Sequence, residues 1–304
     1  MMNYWNVGPA GDRLCVKRRS EGRDLLQLSK VTRTLIVACI TMTALVAEEF
    51  APPFYVFQNG ASFGSPQQQA AALKKLGYDG IGSTRLSQLK EQIAAFEEAG
   101  LRLFSIYTYA NFSENGGSYA KELPAAIELL KGHGAIVELT LRGDRRLKNA
   151  DELAVQVVRE VADMAEKAGL RVALYPHAGF YVARIPEALR IAKKVERRNV
   201  GLIFNLCHFL KSEKAEDLQK TIDAAKPYLY QASTCGADID GKSWKQLIQP
   251  LDTGTFDQLG LLRLLKAAGF KGAVGLQCYG IRNAPKTLGR SIAAWKKNLE
   301  AMRD

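Results

Sequence analysis

The 304-residue chain is poor in several residue types and patterns. It has only three histidines and five cysteines, with no CxxC spacing. Cys15 and Cys39 fall in the first 47 residues, which leaves Cys207, Cys235 and Cys278, an odd set that excludes a disulfide scaffold. The uncharged run Leu35–Ala47 has thirteen residues, short of the ~20 that a membrane-spanning helix needs. After Phe54 there is no long linker, low-complexity tract or break in composition, so one domain is expected from there to the C-terminus. The net charge is +11, yet there is no long basic arm interleaved with aromatics. The cations are spread over helical faces, as at Lys193, Lys194, Arg197 and Arg198. This pattern reads as a solvated basic surface, and nucleic acid is not an expected partner.

The first 47 residues differ from the rest. Met1–Thr34 is polar and basic without a sustained period. Leu35–Ala47 follows Lys30 and Arg33, ends in small residues and precedes Glu48 and Glu49. A basic flank, a short apolar core and small residues make a secretory signal. The expected division is a basic leader and signal peptide over 1–47 and a barrel domain over 48–304, with the mature chain exported and free of a stable membrane span. The basic region is long, so Met42, or a non-Met codon upstream of the apolar run, is an alternative start. The Ile36–Cys39 stretch resembles a lipoprotein box, but most of the apolar run lies after Cys39. The competing interpretation is a buried helix packed on the barrel. Removing 1–47 takes away seven Lys/Arg and three Asp/Glu, so the mature part carries +11 − 4 = +7.

What the chain has in abundance is a repeat. Eight short β-branched or aromatic runs, each followed by an amphipathic segment, start at Phe54. They are Phe54–Phe57, Asp79–Gly82, Leu103–Tyr107, Ala135–Leu141, Arg171–Leu174, Val200–Phe204, Tyr228–Ala232 and Gly272–Leu276. Alternating strands and helices imply a parallel sheet with helices outside it. Eight such units in roughly 250 residues predict an α/β protein of the (β/α)8, or TIM, barrel class. Barrel sites lie at the C-terminal ends of the strands, which directs attention to a few residues.

Those ends carry Gln58 and Asn59, Ser83 and Thr84, Tyr107 to Asn111, Tyr175 to His177, Asn205 to His208, Gln231 and Ser233, and Gln277 and Tyr279. Amides, hydroxyls and aromatics suit a polyhydroxylated ligand. His177 and His208, two of the three histidines, fall on neighbouring strands. The third, His133, lies before the fourth strand at the opposite end and reads as a helix-end residue. Glu138, Thr140 and Arg142 share one strand face. Glu138 is the one carboxylate placed on an inner face, either as a displaced base or as the buried partner of Arg142, with the ion pair preferred. The three remaining cysteines fall near the ends of strands six to eight, where a pair could bridge or all could be small buried residues.

Ala173-Leu174-Tyr175-Pro176-His177, Phe204-Asn205-Leu206-Cys207-His208, Pro250–Asp257 and Gly77–Ile81, taken in order, resemble the xylose isomerase-like barrels of the sugar phosphate isomerase/epimerase superfamily. The resemblance covers about Phe54 to Leu299. It implies a (β/α)8 barrel that moves a proton next to a carbonyl. Active relatives hold a divalent metal with Glu, Asp, His and Glu on strands five to eight. Those positions fall here on Tyr175, Asn205, on or beside Gln231, and Gln277. Neutral amides and a phenol supply no fixed charge, and an amide cannot act as a base near neutral pH. No tightly bound cofactor is therefore expected, although two histidines with water could hold a weak Zn²⁺, Mn²⁺ or Mg²⁺.

The resulting expectation is a sugar isomerase/epimerase-like barrel acting on a small carbohydrate, with a degenerate metal site. His177 and His208 would be its acid/base pair. Tyr175, Asn205, Gln231 and Gln277 should converge with them on one polar pocket. Gln58, Tyr107, Glu138, Arg142 and Lys211 complete the expected substrate-binding set, with Lys211 or Arg142 available to stabilise an enediolate. The alternative is a non-catalytic exported sugar-binding barrel. A three-zinc nuclease of the same superfamily is the least favoured reading, because only two histidines stand near the barrel mouth.

Overall fold

The computed structural model describes residues 49–61 and 63–303. The leader and the expected boundary after Ala47 lie outside the described residues. Eight parallel strands close into a barrel. They are β1 (Phe54–Phe57), β2 (Gly80–Ser83), β3 (Arg102–Ser113), β5 (Ile136–Gly143), β6 (Arg171–Leu174), β7 (Val200–Asn205), β8 (Leu229–Thr234) and β9 (Val274–Leu276), and β4 (Gly116–Tyr119) is added outside that count. Pairing runs β2-β1-β9-β8-β7-β6-β5-β3, and β2 then pairs with β3 to close the ring.

All eight runs found in the sequence are strands. The third is longer than expected, because alternating burial continues from Thr108 to Ser113. The chain then turns at Gly116, whose φ is +107°, and β4 pairs antiparallel with the end of β3. Gly117 on β4 lets it lie close to the barrel's neighbouring helix: a Cβ there would come within 2.6 Å of the Val157 side chain.

The helices are α1 (Pro66–Leu76), α2 (Leu89–Glu98), α3 (Leu123–Leu129), α4 (Ala150–Lys167), α5 (Ile185–Val195), α6 (Leu206–Ser212), α7 (Leu218–Ala225), α8 (Trp244–Leu247), α9 (Gln258–Ala267) and α10 (Ala284–Glu300). Their spacing of apolar residues buries one face of each against the barrel. On α4 that face is Ala154, Val157, Val158, Val161, Ala162 and Ala165. The last helix locks the first strand: Trp295 stacks on Phe54 at 4.0 Å, and the Tyr78 hydroxyl donates to the Leu288 carbonyl at 2.8 Å. Closure of the ring thus depends on contacts between the two ends of the domain.

The barrel interior mixes large aromatic rings with aliphatic side chains. Tyr55, Phe57, Phe104 and Tyr175 fill it with Ile136, Ala173 and Ile203, and Tyr55 stacks on Phe104 at 5.0 Å. Above these rings the barrel opens into the cavity that holds the site.

Candidate active site

A cavity of about 390 Å³ opens at the C-terminal ends of the strands. Its polar wall is Asn59, Thr84, Tyr107, Tyr175, His177, His208 and Gln277, and its apolar wall is Phe57, Trp244, Ile248 and Tyr279.

The two histidines meet here. His177 follows β6 and His208 sits in the first turn of α6, and their ring centroids are 4.1 Å apart. His177 also stacks on Phe180 at 4.0 Å. Each ring's tautomer is set by a backbone partner. The Ala178 N–H donates to His208 Nδ1 at 3.2 Å, so that ring carries its proton on Nε2. His177 Nδ1 lies 3.0 Å from the Ala178 carbonyl, so it must be the donor there, and Nε2 keeps a free lone pair. Burial lowers both pKa values. His208 falls to about 3, helped by repulsion from His177, and is neutral at physiological pH. His177 is lowered chiefly by burial, against an upward pull from the Ala178 carbonyl, with a lesser downward push from the Arg142 charge. At neutral pH the pair therefore offers one N–H donor and one lone pair.

Tyr175, Asn205 and Gln277 form a hydrogen-bonded cluster beside the histidines. Asn205 Nδ2 and Gln277 Nε2 both donate to the Tyr175 hydroxyl oxygen, the latter at 3.4 Å. Backbone groups fix the orientation of each amide. Gln277 Oε1 accepts from the N–H groups of Cys278 and Tyr279 at 3.0 and 3.1 Å. Asn205 Oδ1 caps α6, accepting from the His208 N–H at 3.4 Å and the Cys207 thiol at 3.1 Å. The amide oxygens are thus occupied, and the nitrogens face the phenol. Burial raises the Tyr175 pKa well above the usual value, so its hydroxyl stays protonated.

This donor set does not fit a divalent ion. Such an ion needs oxygen or imidazole lone pairs directed at one point, whereas Asn205 and Gln277 turn N–H groups inward. Among the described residues no group of three or more His, Cys, Asp or Glu side chains is placed to hold a metal.

Several expected site residues stand elsewhere. Gln231 is buried in the barrel and donates to the Phe104 carbonyl at 3.3 Å. It faces the opposite end, lining a small cavity with Pro53, Arg102 and Arg171 at the strands' N-terminal ends. Ser233, two residues on, is level with Asn205. A shift of two preserves the inward face, so period alone could not choose between them. Gln58 braces the rim: its Oε1 accepts from the Thr84 N–H at 2.9 Å.

Glu138 does not pair with Arg142. It is fully buried and accepts from the Tyr55 hydroxyl at 3.0 Å. Burial pushes its pKa up to about 8, against an opposing pull from the Ser105 and Tyr55 hydroxyls. Arg142 leaves the interior at the rim and stacks on Phe180 at 4.4 Å and Tyr109 at 5.1 Å. The strand carries the two side chains to different depths, and the exposed guanidinium keeps its hydration. Lys211 donates to the Lys242 carbonyl at 2.7 Å and lies 5.8 Å from the Trp244 ring, so it steadies the loop before α8. His133 pairs with Glu97 at 2.7 Å at the far end of the barrel. The three cysteines are buried and free.

Trp244, Ile248 and Phe180 also border the site, although none lies at a strand end. The first two belong to the segment between β8 and α9, which the strand–helix repeat treats as a connection. A tryptophan in the polar stretch Gly241-Lys242-Ser243-Trp244 was the available signal.

Comparison with known proteins agrees with this architecture. Inosose isomerase of Bacillus velezensis is 24% identical over 225 residues, covering 71% of this chain and 80% of that protein. The E. coli 3-keto-D-glucoside 4-epimerase structure superposes with a TM-score of 0.66 at 16% identity, covering 81% of this chain and all of that one. The IolI protein, solved with a bound zinc atom, also gives 0.66, at 18% identity and 82% and 98% coverage. Residues 70–304 match the family described as xylose isomerase-like TIM barrel, and the chain belongs to that family.

Proposed function

We propose that this protein is a sugar isomerase or epimerase-type enzyme acting on a small polyhydroxylated ligand, a sugar or sugar acid. It moves a proton on the carbon next to a carbonyl without a tightly held metal. The observation that carries this reading is the His177–His208 pair with complementary nitrogens on the polar wall of the cavity. The His177 Nε2 lone pair takes the carbon-bound proton. The His208 Nε2–H donates to the carbonyl oxygen as negative charge develops there. A neutral imidazole that stays neutral is suited to that donor role, because it holds its proton without adding a charge to the ground state. Tyr175, whose oxygen already accepts two amides, has its own proton left to donate. The relatives' names, inosose isomerase and 3-keto-glucoside epimerase, support a polyol ring bearing a carbonyl.

The degenerate metal site belongs to the same proposal. A weak Zn²⁺, Mn²⁺ or Mg²⁺ held by the histidines and water is its upper limit. Export through the Lys30–Ala47 signal also belongs to it, and N-terminal sequencing of protein from the native host tests that part. An intact leader on cytoplasmic protein would refute export. Nucleic acid is not a proposed partner. No helix among the described residues is long and apolar enough to cross a membrane.

Incubation with keto-sugars and inososes in D₂O tests the chemistry. Deuterium should enter the carbon next to the carbonyl, and His177→Gln should abolish its entry. Sugar binding without exchange at any pH would replace the enzyme with the non-catalytic binding barrel. The absence of any sugar binding would refute both.

A further inference from the structure

The cavity has two chemically different zones. Its depth holds the phenol, amide and imidazole groups already described. Its mouth holds two large aromatic side chains with much of their surface in water: Trp244 is 40% exposed and Tyr279 is 64% exposed. They come from the segments after β8 and β9, which are neighbours in the barrel.

Trp244 is held in place. Ser243 and Gln246 form a capping box that starts α8. Before it, the Asp238 N–H donates to the Gln246 carbonyl at 2.7 Å, and Lys211 ties down Lys242 at 2.7 Å. From below, the His208 ring meets the indole edge-to-face at 5.2 Å. Tyr279 is anchored through its own N–H on Gln277. Exposed apolar rings beside a pocket mark a binding surface, and a ring held in place as Trp244 is binds at low entropic cost.

We infer that Trp244 and Tyr279 form an outer sugar subsite, so that the preferred ligand is a disaccharide or longer glycoside rather than a free monosaccharide. This inference rests on the sugar reading above and narrows its substrate class. The reacting ring, rich in hydroxyls, enters the polar depth. The second pyranose ring lays its C–H face on the aromatic mouth, where flat apolar surface is available.

The readout is built into the chain. Its tryptophans are Trp5, Trp244 and Trp295. Trp295 is buried against Phe54, and Trp5 lies outside the described residues. The ligand-dependent emission of Trp244 is therefore isolated as the difference between wild type and Trp244→Phe. Glucose, cellobiose, maltose and phenyl β-D-glucoside are titrated into the full-length protein, and affinities are also measured by calorimetry.

At least one of the α- and β-linked disaccharides should bind about tenfold tighter than glucose and change Trp244 emission. Trp244→Ala and Tyr279→Ala should each bring that ratio close to one, while Trp244→Phe, which keeps a ring, should retain most of it. Thermal melts confirm that the variants fold. Equal affinity for glucose and both disaccharides, or a preference untouched by Trp244→Ala, would overturn the outer subsite and leave the sugar reading standing. Binding of phenyl glucoside alone would replace the second pyranose with an aryl group and overturn the assignment. No response to any of the four would overturn the outer subsite, and the sugar reading falls with it only if keto-sugars and inososes also fail to bind.

Discussion

Replacing Glu138 with glutamine should make the protein more stable at pH 7 and above. The carboxyl is fully buried, accepts one hydrogen bond, from Tyr55, has the Ser105 hydroxyl near enough to favour its charge without a formed hydrogen bond, and leaves Oε2 without a partner. Its pKa rises from the ordinary 4.5 to about 8 because burial penalises the charged form. Between those two values the folded chain keeps a proton that the unfolded chain has lost. The folded state therefore binds more protons there, and stability falls as pH rises. The loss is about 1.4 kcal/mol per pH unit, or about 3 kcal/mol between pH 5 and 7. Glutamine keeps an oxygen for Tyr55 and has no charge to bury at any pH. His177 and His208, whose lowered values destabilise the fold as pH falls below 6.5, occur in both proteins and cancel in the difference. Urea denaturation of both proteins at pH 5, 6, 7 and 8 measures the gap. It should favour Glu138→Gln increasingly with pH and level off above about 8. A gap that is flat or shrinks from pH 5 to 8 would show that Glu138 ionises without penalty, and that water or another donor reaches it.

Tyr175→Phe removes the acceptor shared by Asn205 and Gln277 and should cost about 1–3 kcal/mol of stability; an unchanged urea midpoint would mean that the amides find other partners. The deuterium-exchange rate should be flat from pH 7 to 8 and should fall as His177 becomes protonated below 6.5; a rate that rises on acidification would remove His177 as the base. Elemental analysis of the dialysed protein should give far less than one Mn²⁺, Zn²⁺ or Mg²⁺ per chain, whereas the Asn205→Asp, Gln277→Glu double variant should take up Mn²⁺ by calorimetry. Near-stoichiometric metal in the unmodified protein would show that the ligand positions are misassigned.

Local sequence pattern alone specifies the eight strand–helix units. Each strand's branched and aromatic run and each helix's apolar spacing is a local preference that agrees with the global fold. It also placed Tyr175, His177, Asn205, His208 and Gln277 at strand ends, since a residue's position along a strand fixes which end of the barrel it occupies. The β4 hairpin was not legible, because Gly116-Gly117-Ser118-Tyr119 has little strand propensity and is held by pairing with β3 and by packing on α4.

The site's remaining details depended on depth and long-range contact, which a period of two does not encode. Gln231 and Ser233 share a face, and only the register with β7 shows that Ser233 is level with Asn205. Glu138 and Arg142 also share a face, yet one is sealed in the barrel under Tyr55 and the other emerges onto Phe180, so the expected ion pair does not form. The tautomers of the two histidines are set by one backbone unit, Ala178, which reaches both rings only after β6 and β7 have paired. The aromatic mouth was hidden for a related reason. Trp244 meets His208 across a gap of thirty-six residues, in a segment without a hydrophobic period, and tertiary packing alone brings the two rings together.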